Sequence, residues 1–347
     1  MGNICIRVDG NEIIATGHVM RCLSIAHQIK NNGEAVEFVV ADNRPTSIIE
    51  ENGFNCYVLG TTWDDMDTEI QKFSEYIKRN NIDTVLIDSY FVTENYLASI
   101  SKQAKVCYID DLDKFIYPVH TLINYGLQCD RDYERRYEAV GSNTKFLLGG
   151  KYAPLREEFS CVPYEVRENV EKVLITTGGT DQLNMAYKLA EKLVSENTFK
   201  NIEFHIIVGR FNGNKDNLKI LGNARESIVL HEKVTNMSYW MRKCDVAISA
   251  AGTTTFELSA CGIPSICFEV ADNQVGARLW EQGGYMIYAG NAYMEQEKCI
   301  GACIKGLLKL QGDYNFRKNM SHKMQGLVDG LGASRIADYL IGLSKEN

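Results

Sequence analysis

Short, nearly continuous runs of apolar residues alternate with stretches of helical hydrophobic period from one end of the chain to the other. Runs of this kind are typical of strands that helices cover on both faces, so they predict parallel, doubly wound α/β sheets. In the first part of the chain, the predicted strands are residues 4–8, 36–40, 56–59, 84–88, 105–109, 120–124 and 145–148. Helical stretches at 69–79 and 94–103 lie between them.

The pattern changes at residues 149–169, which are glycine-rich and then polar, and a second α/β series follows. Its predicted strands are residues 172–176, 203–208, 227–230, 245–249 and 265–269. A chain of 347 residues is long enough for two domains of roughly 150 residues each. We predict two Rossmann-like domains that face each other across a cleft. The predicted boundaries are 1–150 for the N-terminal domain, 151–170 for a linker, 171–330 for the C-terminal domain and 331–347 for a last helix that packs back on the first domain.

The charge and the cysteines limit the possible partners. A net charge of −8 argues against nucleic acid or an anionic membrane as the main partner. No apolar run reaches transmembrane length, and the N-terminus lacks the basic and then apolar layout of a signal peptide. The eleven cysteines form no CxxC pair, which favours reduced core thiols in a cytoplasmic protein.

A glycine turn and the start of a predicted helix follow the first strand, in the stretch Ile14-Ala15-Thr16-Gly17-His18-Val19-Met20-Arg21-Cys22. This order places His18 at a helix N-terminus, where unpaired N–H groups carry about half a positive charge. Because such an end disfavours a protonated imidazole, His18 is a candidate general base. The alternative is a histidine that only caps the helix or fills space.

Two loops in the second half resemble phosphate-binding turns. The strand at 172–176 leads into Gly178, Gly179, Thr180 and Asp181, and a helix begins near Asn184. Adjacent glycines let backbone N–H groups approach a phosphate closely, although a plain strand-to-helix turn has the same pattern.

The second such loop follows the strand at 245–249 and contains Gly252, Thr253 and Thr254, with Glu257 one turn into the next helix. The threonines could cap the helix and bond phosphate oxygens, and Glu257 could accept hydrogen bonds from a ribose diol. A carboxylate favoured by the helix dipole is the alternative for Glu257. Two loops of this kind in one domain indicate a nucleoside diphosphate.

Residues 245–274 resemble the donor-binding domain of glycosyltransferases with two Rossmann-like domains, the GT-B type. Nearly the whole chain resembles the UDP-2,4-diacetamido-2,4,6-trideoxy-β-L-altropyranose hydrolases of bacterial pseudaminic acid biosynthesis. The resemblance rests on Arg7-x-Asp9, Gly17-His18-Val19-Met20-Arg21-Cys22, Asp88-x-Tyr90, Asp110-Asp111, Tyr152-x-x-Leu155-Arg156-x-x-Phe159, Gly178-Gly179-Thr180-Asp181-x-x-Asn184, Glu257 and Asn273-Gln274. Ala15 departs from the family pattern, which often has glycine there.

The resemblance implies hydrolysis of a UDP-linked amino sugar to the free sugar and UDP, with no metal and no cofactor. It implies that His18 activates water, which attacks C1 with inversion; the residues by themselves do not decide between attack on carbon and on phosphorus. Implied contacts to the sugar are Asp9, Gly17, Arg21, Asp88, Tyr90, Asn273 and Gln274. Implied contacts to UDP are Gly178, Gly179, Thr180, Asp181, Asn184, Gly252, Thr253, Thr254 and Glu257. The expected protein is a cytoplasmic monomer whose partners are the UDP-amino sugar and water.

Several other functions fit parts of the sequence. A glycosyltransferase with an acceptor other than water, a non-catalytic protein that binds sugar nucleotides and a UDP-sugar 2-epimerase all remain alternatives. Asp88, Asp110 and Asp111 could form a Mg²⁺ site, although aspartates at strand ends often cap helices instead.

Overall fold

The computed structural model describes residues 3–127, 132–161, 163–271, 274 and 276–346. The chain divides into two compact units: unit 1 is residues 1–157 and 330–347, and unit 2 is residues 158–329. The division falls inside the stretch 151–170 that we expected to be a linker, so its first seven residues belong to unit 1 and the rest to unit 2.

Unit 1 is built around a seven-stranded parallel sheet with the order β3-β2-β1-β4-β5-β6-β7. The strands are β1 (Ile4–Val8), β2 (Val36–Val40), β3 (Cys56–Val58), β4 (Thr84–Asp88), β5 (Lys105–Ile109), β6 (Thr121–Asn124) and β7 (Lys145–Leu148). Its helices are α1 (Gly17–Asn31), α2 (Thr46–Glu51), α3 (Ile70–Arg79), α4 (Glu94–Ile100) and α5 (Tyr133–Glu138), and the last helix of the chain, α13 (Gly332–Lys345), joins them.

Unit 2 has a six-stranded parallel sheet with the order β10-β9-β8-β11-β12-β13. The strands are β8 (Lys172–Thr176), β9 (Glu203–Val208), β10 (Ile228–Glu232), β11 (Val246–Ala250), β12 (Ser265–Glu269) and β13 (Ile287–Asn291). The helices are α6 (Met185–Ser195), α7 (Lys215–Ala224), α8 (Met237–Lys243), α9 (Thr253–Cys261), α10 (Ala277–Gln282), α11 (Gln296–Gly312) and α12 (Tyr314–Leu327).

Each sheet has one point where the strand order reverses, and ligands of doubly wound sheets bind beside that point at the carboxyl ends of the strands. In unit 1 the reversal lies between β1 and β4, and in unit 2 it lies between β8 and β11. The loop before His18 follows β1, and Asp88 is the last residue of β4. The two predicted phosphate loops follow β8 and β11. All of these candidate residues therefore lie where such a fold binds ligands.

The last helix supports the helix that carries His18. Helix α13 packs on α1 and also contacts β1 and β4. Its apolar face is buried at Ile336, Ala337, Leu340 and Leu343. At the edges of this contact, Asn32 Nδ2 donates to Asp338 Oδ1 over 3.0 Å, and the Lys345 ammonium lies 2.6 Å from Glu34 Oε1.

The predicted fold class, two parallel α/β domains, is confirmed. The prediction omitted β13, an edge strand that contains Gly290 with a φ of +105° and pairs with β12 through an irregular register. Among the described residues, no helix is long and apolar enough to cross a membrane.

Candidate active site

His18 and Asp88 form a buried pair at the reversal point of the unit 1 sheet. His18 is the second residue of α1, and its side chain is 7% exposed. Its Nδ1 atom lies 2.6 Å from Asp88 Oδ1. The end of β4 and the start of α1 thus bring together two residues that are 70 positions apart in the sequence. The pairing of an imidazole with a carboxylate is a common way to orient a catalytic histidine.

Arg21 lies on the same face of α1, one turn after His18, and binds the same carboxylate. Its Nε donates to Asp88 Oδ2 over 2.5 Å, and its Nη2 donates to Asp88 Oδ1 over 2.5 Å. Burial alone would raise the pKa of the Asp88 carboxyl, but the charges and hydrogen bonds of Arg21 and His18 hold this pKa well below its usual range. Asp88 is therefore an ionised carboxylate near neutral pH.

The ionised carboxylate determines which nitrogen of His18 carries the proton. A carboxylate can only accept hydrogen bonds, so the 2.6 Å contact requires an N–H on Nδ1. A protonated Nδ1 has no lone pair that could accept a hydrogen bond from Arg21 Nη2, which lies farther away at 3.1 Å. In the neutral imidazole this leaves the lone pair on Nε2, which is the atom available to accept a proton from water.

Three further side chains enclose the pair. Arg21 Nη1 donates to Asp111 Oδ2 over 2.8 Å and to the Tyr125 hydroxyl over 2.5 Å. The Tyr90 hydroxyl donates to Asp111 Oδ2 over 3.1 Å. The Tyr90 ring meets the His18 ring edge-on, with centroids 4.4 Å apart. Asp111 is 25% exposed and Asp88 is not exposed at all, so Asp111 is the carboxylate of this cluster that a ligand can reach.

Asp110, the neighbour of Asp111, is buried, and groups of the protein bind both of its carboxylate oxygens. Its Oδ1 accepts from the backbone N–H groups of Leu112 and Asp113 and from the Tyr117 hydroxyl, at 2.8, 2.9 and 2.9 Å. Its Oδ2 accepts from the Tyr133 hydroxyl over 3.1 Å. With four donors on a fully buried carboxylate, Asp110 fixes the loop after β5 and is not free for a metal ion.

Asp9 lies in the interior of unit 1, while its contact with the sugar stays a prediction. Asp9 Oδ1 accepts from the Ala41 N–H over 2.8 Å, and Oδ2 accepts from Arg7 Nη1 over 2.6 Å. Arg7 in turn donates through Nε and Nη2 to both oxygens of Glu69, each over 2.7 Å. Both oxygens of Asp9 are thus engaged by the protein, and only 4% of the side chain is exposed. The sequence reading missed Glu69, which lies at the end of a short 3₁₀ helix, Met66–Glu69.

The turn before α1 has a backbone conformation at position 15 that would suit glycine. Ala15 has a φ of +57°, a conformation that favours glycine. Asn11 Oδ1 holds the turn by accepting from the N–H groups of Ile13 and Ile14, at 2.8 and 2.9 Å. Gly17 is the first residue of α1, and a Cβ added there would meet no atom within 4 Å. Gly17 is therefore exposed at the start of α1, with room for a ligand beside it.

In unit 2, the side chain of Asp181 caps a helix, while its contact with UDP stays a prediction. Asp181 Oδ1 accepts from the Met185 N–H over 2.8 Å, and Oδ2 accepts from the Ala186 N–H over 3.0 Å. These are the first two residues of α6. Asp181 is buried, and burial raises the pKa of its carboxyl. A negative side chain already occupies this helix start, so the start of α6 is a poor place for a phosphate. Asn184 is the left-handed residue that precedes α6 and stays a predicted UDP contact.

The glycines of the first loop are exposed and have room around them. Gly178, Gly179 and Thr180 form an exposed turn, and a Cβ added at either glycine would meet no atom within 4 Å. The turn rests on the segment after β9. The Phe211 N–H donates to the Gly179 carbonyl over 3.0 Å, and a Cβ on Gly209 would lie 2.4 Å from the carbonyl oxygens of Gly178 and Gly179. The sequence reading missed Gly209, whose lack of a side chain lets the two segments meet.

The second loop presents an open helix start. Helix α9 has nine residues, and Gly252 at its N-cap has a φ of +152° and no side chain with which to cap the helix. Gly252 and Thr253 are exposed, and Thr254 is half-buried. Thr255 is buried, and its hydroxyl donates to the Gly252 carbonyl over 2.6 Å. Backbone N–H groups at an uncapped helix start favour an anion, so α9 is better suited to a phosphate than α6 is.

Gln274 links two loops of unit 2 through its side-chain amide. Its Oε1 accepts from the Val270 N–H over 2.8 Å, and its Nε2 donates to the Ala251 carbonyl. Ala251 directly precedes Gly252, so Gln274 holds the chain at the start of α9. The structure thus gives Gln274 a positioning contact where we had predicted a contact to the sugar. Asn273, predicted for the same role, lies outside the described residues. Glu257 is half-buried in the second turn of α9.

If the first loop binds UDP as predicted, Gly209→Ala should weaken UDP binding by about fivefold or more. The added methyl group must push the backbone of Gly178 and Gly179 away, because it would lie 2.4 Å from their carbonyl oxygens, and overpacking costs about 1–3 kcal/mol. Isothermal titration calorimetry with UDP measures the effect. Gly213→Ala is the matched control, since a Cβ there meets nothing within 4 Å. Equal affinities of the two variants for UDP would contradict a role of the first loop in binding UDP.

Comparison with known proteins shows which domain and which solved structures this chain resembles. Residues 173–329 match the glycosyltransferase family 28 C-terminal domain. The crystal structure of Acinetobacter baumannii MurG matches with a TM-score of 0.71 at 12% identity, over 99% of this chain and 100% of that one. The glycotransferase of kitacinnamycin matches with a TM-score of 0.68 at 13% identity, over 99% of both chains. These likenesses show that the chain shares the fold of these glycosyltransferases and that residues 173–329 resemble a glycosyltransferase domain.

Two proteins that are similar to this chain in sequence are named as hydrolases of a UDP-sugar. The Helicobacter pylori protein named pseudaminic acid cytidylyltransferase and UDP-2,4-diacetamido-2,4,6-trideoxy-β-L-altropyranose hydrolase is 26% identical over 75% of this chain and 43% of its own length. The Campylobacter jejuni hydrolase of the same substrate name is 25% identical over 80% of this chain and 95% of its own. The Methanocaldococcus jannaschii protein MJ1062 is 26% identical over 76% of this chain. The match covers 54% of MJ1062, so this chain spans about half of that relative and less than half of the Helicobacter protein.

Proposed function

We propose that this protein hydrolyses a UDP-linked 2,4-diacetamido-2,4,6-trideoxy sugar to UDP and the free sugar. The observation that carries the proposal is the His18–Asp88 pair at the reversal point of the unit 1 sheet, with an N–H on Nδ1 and a basic Nε2. The names of the Helicobacter and Campylobacter relatives support the substrate class. The placement of the reaction in pseudaminic acid-type biosynthesis rests on the same names.

In the proposed reaction, water attacks C1 of the sugar from the side opposite the nucleotide. The oxygen of water forms a bond to C1 while the bond between C1 and the phosphate oxygen breaks, and the electron pair leaves with UDP. The proton of water moves to Nε2 of His18, and the carboxylate of Asp88 stabilises the imidazolium that results. Attack from the opposite side inverts the configuration at C1.

Tyr90 and Asp111 are the side chains that we assign to the sugar in unit 1. Tyr90 touches the His18 ring and donates to Asp111, whose carboxylate is the accessible one of the cluster. An accessible carboxylate can accept hydrogen bonds from sugar hydroxyl or acetamido N–H groups.

Unit 2 supplies the groups that we assign to UDP. The start of α9 and the turn at Gly178, Gly179 and Thr180 offer backbone N–H groups to the two phosphates. The developing charge on UDP is stabilised there in the transition state. General-base catalysis by His18 contributes roughly 10²–10⁴-fold, so positioning and this electrostatic stabilisation must supply most of the acceleration.

The function is tested by incubating the purified protein with a panel of UDP-amino sugars in ¹⁸O-labelled water. We expect release of UDP and of a free sugar with inverted configuration, seen by NMR at early times, and ¹⁸O on C1 of the sugar. Label in UDP would show attack on phosphorus instead. Binding of the panel without any release would support the alternative of a non-catalytic binding protein.

We expect Glu257→Ala to weaken UDP binding by about 1–3 kcal/mol, the value of a hydrogen bond to a charged group. The reason is the proposed contact of the Glu257 carboxylate with the ribose hydroxyls. Calorimetry with UDP, ADP and GDP measures affinity and base preference together, and Glu281→Ala in α10 is a control from another helix of the same unit. Equal or absent binding of the three nucleotides by the wild type would refute the UDP assignment.

We expect activity to be independent of divalent metal. Asp88 and Asp110 are saturated by donors from the protein, and no group of three His, Cys, Asp or Glu side chains suited to a metal occurs within the described part of the chain. The measurement is turnover with EDTA and after addition of Mg²⁺ or Mn²⁺. Loss with EDTA and recovery with either ion would contradict the expectation.

Transfer of the sugar to an acceptor other than water is the second candidate function. The match of residues 173–329 to a glycosyltransferase domain favours it, because transferases and the proposed hydrolase would bind the sugar nucleotide in the same way. The NMR experiment separates the two: a transferase would release little free sugar until an acceptor is added.

A further inference from the structure

We propose that Arg21 is a positioning residue that acts through Asp88: it keeps this carboxylate charged against Nδ1 of His18, so that Nε2 remains the basic nitrogen. The proposal rests on the proposed function of His18 as a base. It replaces the direct contact with the sugar that the sequence had implied for Arg21.

The hydrogen bonds of Arg21 support a role inside the protein. The guanidinium grips Asp88 with two parallel hydrogen bonds, from Nε to Oδ2 and from Nη2 to Oδ1, each 2.5 Å long. Its Nη1 is bound to Asp111 and to the Tyr125 hydroxyl. The side chain is 8% exposed. Four hydrogen bonds to protein acceptors leave Arg21 little capacity to hold a sugar, whereas the two bonds to Asp88 fix that carboxylate in direction and charge.

The groups that face Asp88 show why this charge matters. Helix α1 contributes His18, Arg21 and the Cys22 thiol, which lies 3.6 Å from Oδ2. Asp111 and Tyr125, from the loops after β5 and β6, bind Arg21. Tyr90, from the loop after β4, binds Asp111, which is the other negative charge of the cluster. Burial favours a neutral Asp88. Arg21 is the permanently charged cation among the groups that face it, because arginine does not lose its proton in proteins.

Loss of Arg21 would change the position of a proton. Without the guanidinium, burial raises the pKa of the Asp88 carboxyl, and removal of an adjacent opposite charge raises such a value by about 1–3 units. A protonated Asp88 donates its hydrogen to Nδ1 of His18. The proton of the neutral imidazole then lies on Nε2, which can no longer accept one from water. Activity would therefore fail first at the acid end of the pH range.

Unit 1 provides its own control for this experiment. Arg7 is a second buried arginine that pairs with two carboxylates, Asp9 and Glu69. Among the described residues, no hydrogen bond joins Arg7 to His18 or to Asp88. A substitution at Arg7 removes the same kind of buried ion pair and leaves the catalytic pair alone.

The experiment compares the pH dependence of kcat in Arg21→Gln, Arg21→Lys and Arg7→Gln. In Arg21→Gln, we expect the acid limb of the kcat profile to move up by about 1–3 pH units, with activity partly recovered at alkaline pH. Arg21→Lys keeps the charge and should move the limb less than half as far. Arg7→Gln should lower the thermal midpoint without moving the limb. A pH-independent loss confined to KM in both Arg21 variants would overturn the proposal, because it would indicate direct binding of the sugar.

A second measurement separates this proposal from the proposed function. The chain has six histidines, and a ¹⁵N-histidine NMR spectrum, with His18 assigned by its loss in His18→Asn, reports which ring nitrogen carries the proton. We expect the Nδ1–H form in the wild type and a shift toward the Nε2–H form in Arg21→Gln below neutral pH. An unchanged tautomer in folded Arg21→Gln would refute the role of Arg21 even if hydrolysis is found. The expected change in a protein without hydrolase activity would refute only the proposed function. If Arg21→Gln does not fold, the Arg21→Lys spectrum decides: a charge-dependent role requires the wild-type tautomer there, and loss of the Nδ1–H form would overturn it.

Discussion

His18→Asn should reduce kcat by roughly 10²-fold or more while the affinity for UDP stays close to that of the wild type. Asparagine is near in size to histidine and can still donate to Asp88, but it has no basic nitrogen at the position of Nε2. A base that removes a proton in the transition state contributes to turnover much more than to binding. Steady-state kinetics with the sugar nucleotide and calorimetry with UDP give the two quantities.

The control for this substitution lies on the same helix. His27 in α1 is half-buried, and its Nε2 lies 3.4 Å from Asn52 Oδ1, far along the helix from its first turn. His27→Asn should leave kcat near the wild-type value. If His18→Asn retained near wild-type turnover, the role of His18 as base would be wrong, whatever became of the fold.

Asp88→Asn should destabilise unit 1 by about 3–5 kcal/mol, the usual cost of removing one partner from a buried ion pair. The carboxylate has no exposed surface and neutralises Arg21, which is itself almost fully buried. The amide can accept from Arg21 with its oxygen only, and its NH₂ group opposes the remaining donors. Urea denaturation monitored by tryptophan fluorescence and circular dichroism gives the free energy of unfolding.

The pH dependence of this difference follows from the lowered pKa of Asp88. A carboxyl whose folded pKa lies below its unfolded value of about 3.9 stabilises the fold above that value and loses the effect as the pH falls toward the folded pKa. The advantage of the wild type over Asp88→Asn should therefore be complete at pH 7 and shrink below about pH 4.

Asp42→Asn is the matched control for Asp88→Asn, because Asp42 pairs with Arg44 at the surface, where the two side chains are 29% and 37% exposed. Exposed pairs contribute about 0–1 kcal/mol. Equal losses of unfolding free energy in the two variants would show that the buried pair contributes no more to the stability of unit 1 than the exposed pair does.

Much of the fold could be predicted because parallel strands buried on both faces appear in the sequence as continuous apolar runs. Strands β1, β2, β4, β5 and β7 were predicted with the same bounds that they have in the structure. The third and sixth strands differed by one residue at one end. Strand β13 was missed because its apolar part is short: the strand ends in Gly290 and Asn291 and lies at the sheet edge, which weakens the pattern.

The site could be predicted only as far as local sequence determines geometry. Asp88 was singled out because it ends a strand at a reversal point, and His18 and the two glycine loops because each lies in the loop or helix start that follows such a strand. The partners of each carboxylate come from distant parts of the chain, and nothing in the local pattern distinguishes Asp110, which binds four donors, from accessible Asp111. Tyr125, Glu69 and Gly209 were missed for the same reason, because their contacts are tertiary.

Helix α13 belongs to unit 1 but follows unit 2 in the sequence, so unit 1 cannot be completed during synthesis until unit 2 has been made. Unit 2 interrupts unit 1, and its 172 residues, from 158 to 329, must be made before α13 emerges. Until then the apolar side of α1 that α13 covers has no partner from its own unit, and the helix that carries His18 lacks the support of α13. Unit 2 is continuous in sequence and could fold without waiting for a later segment. Nascent chains arrested after residue 329 should therefore present a folded second unit beside a first unit that remains sensitive to protease and to chaperone binding.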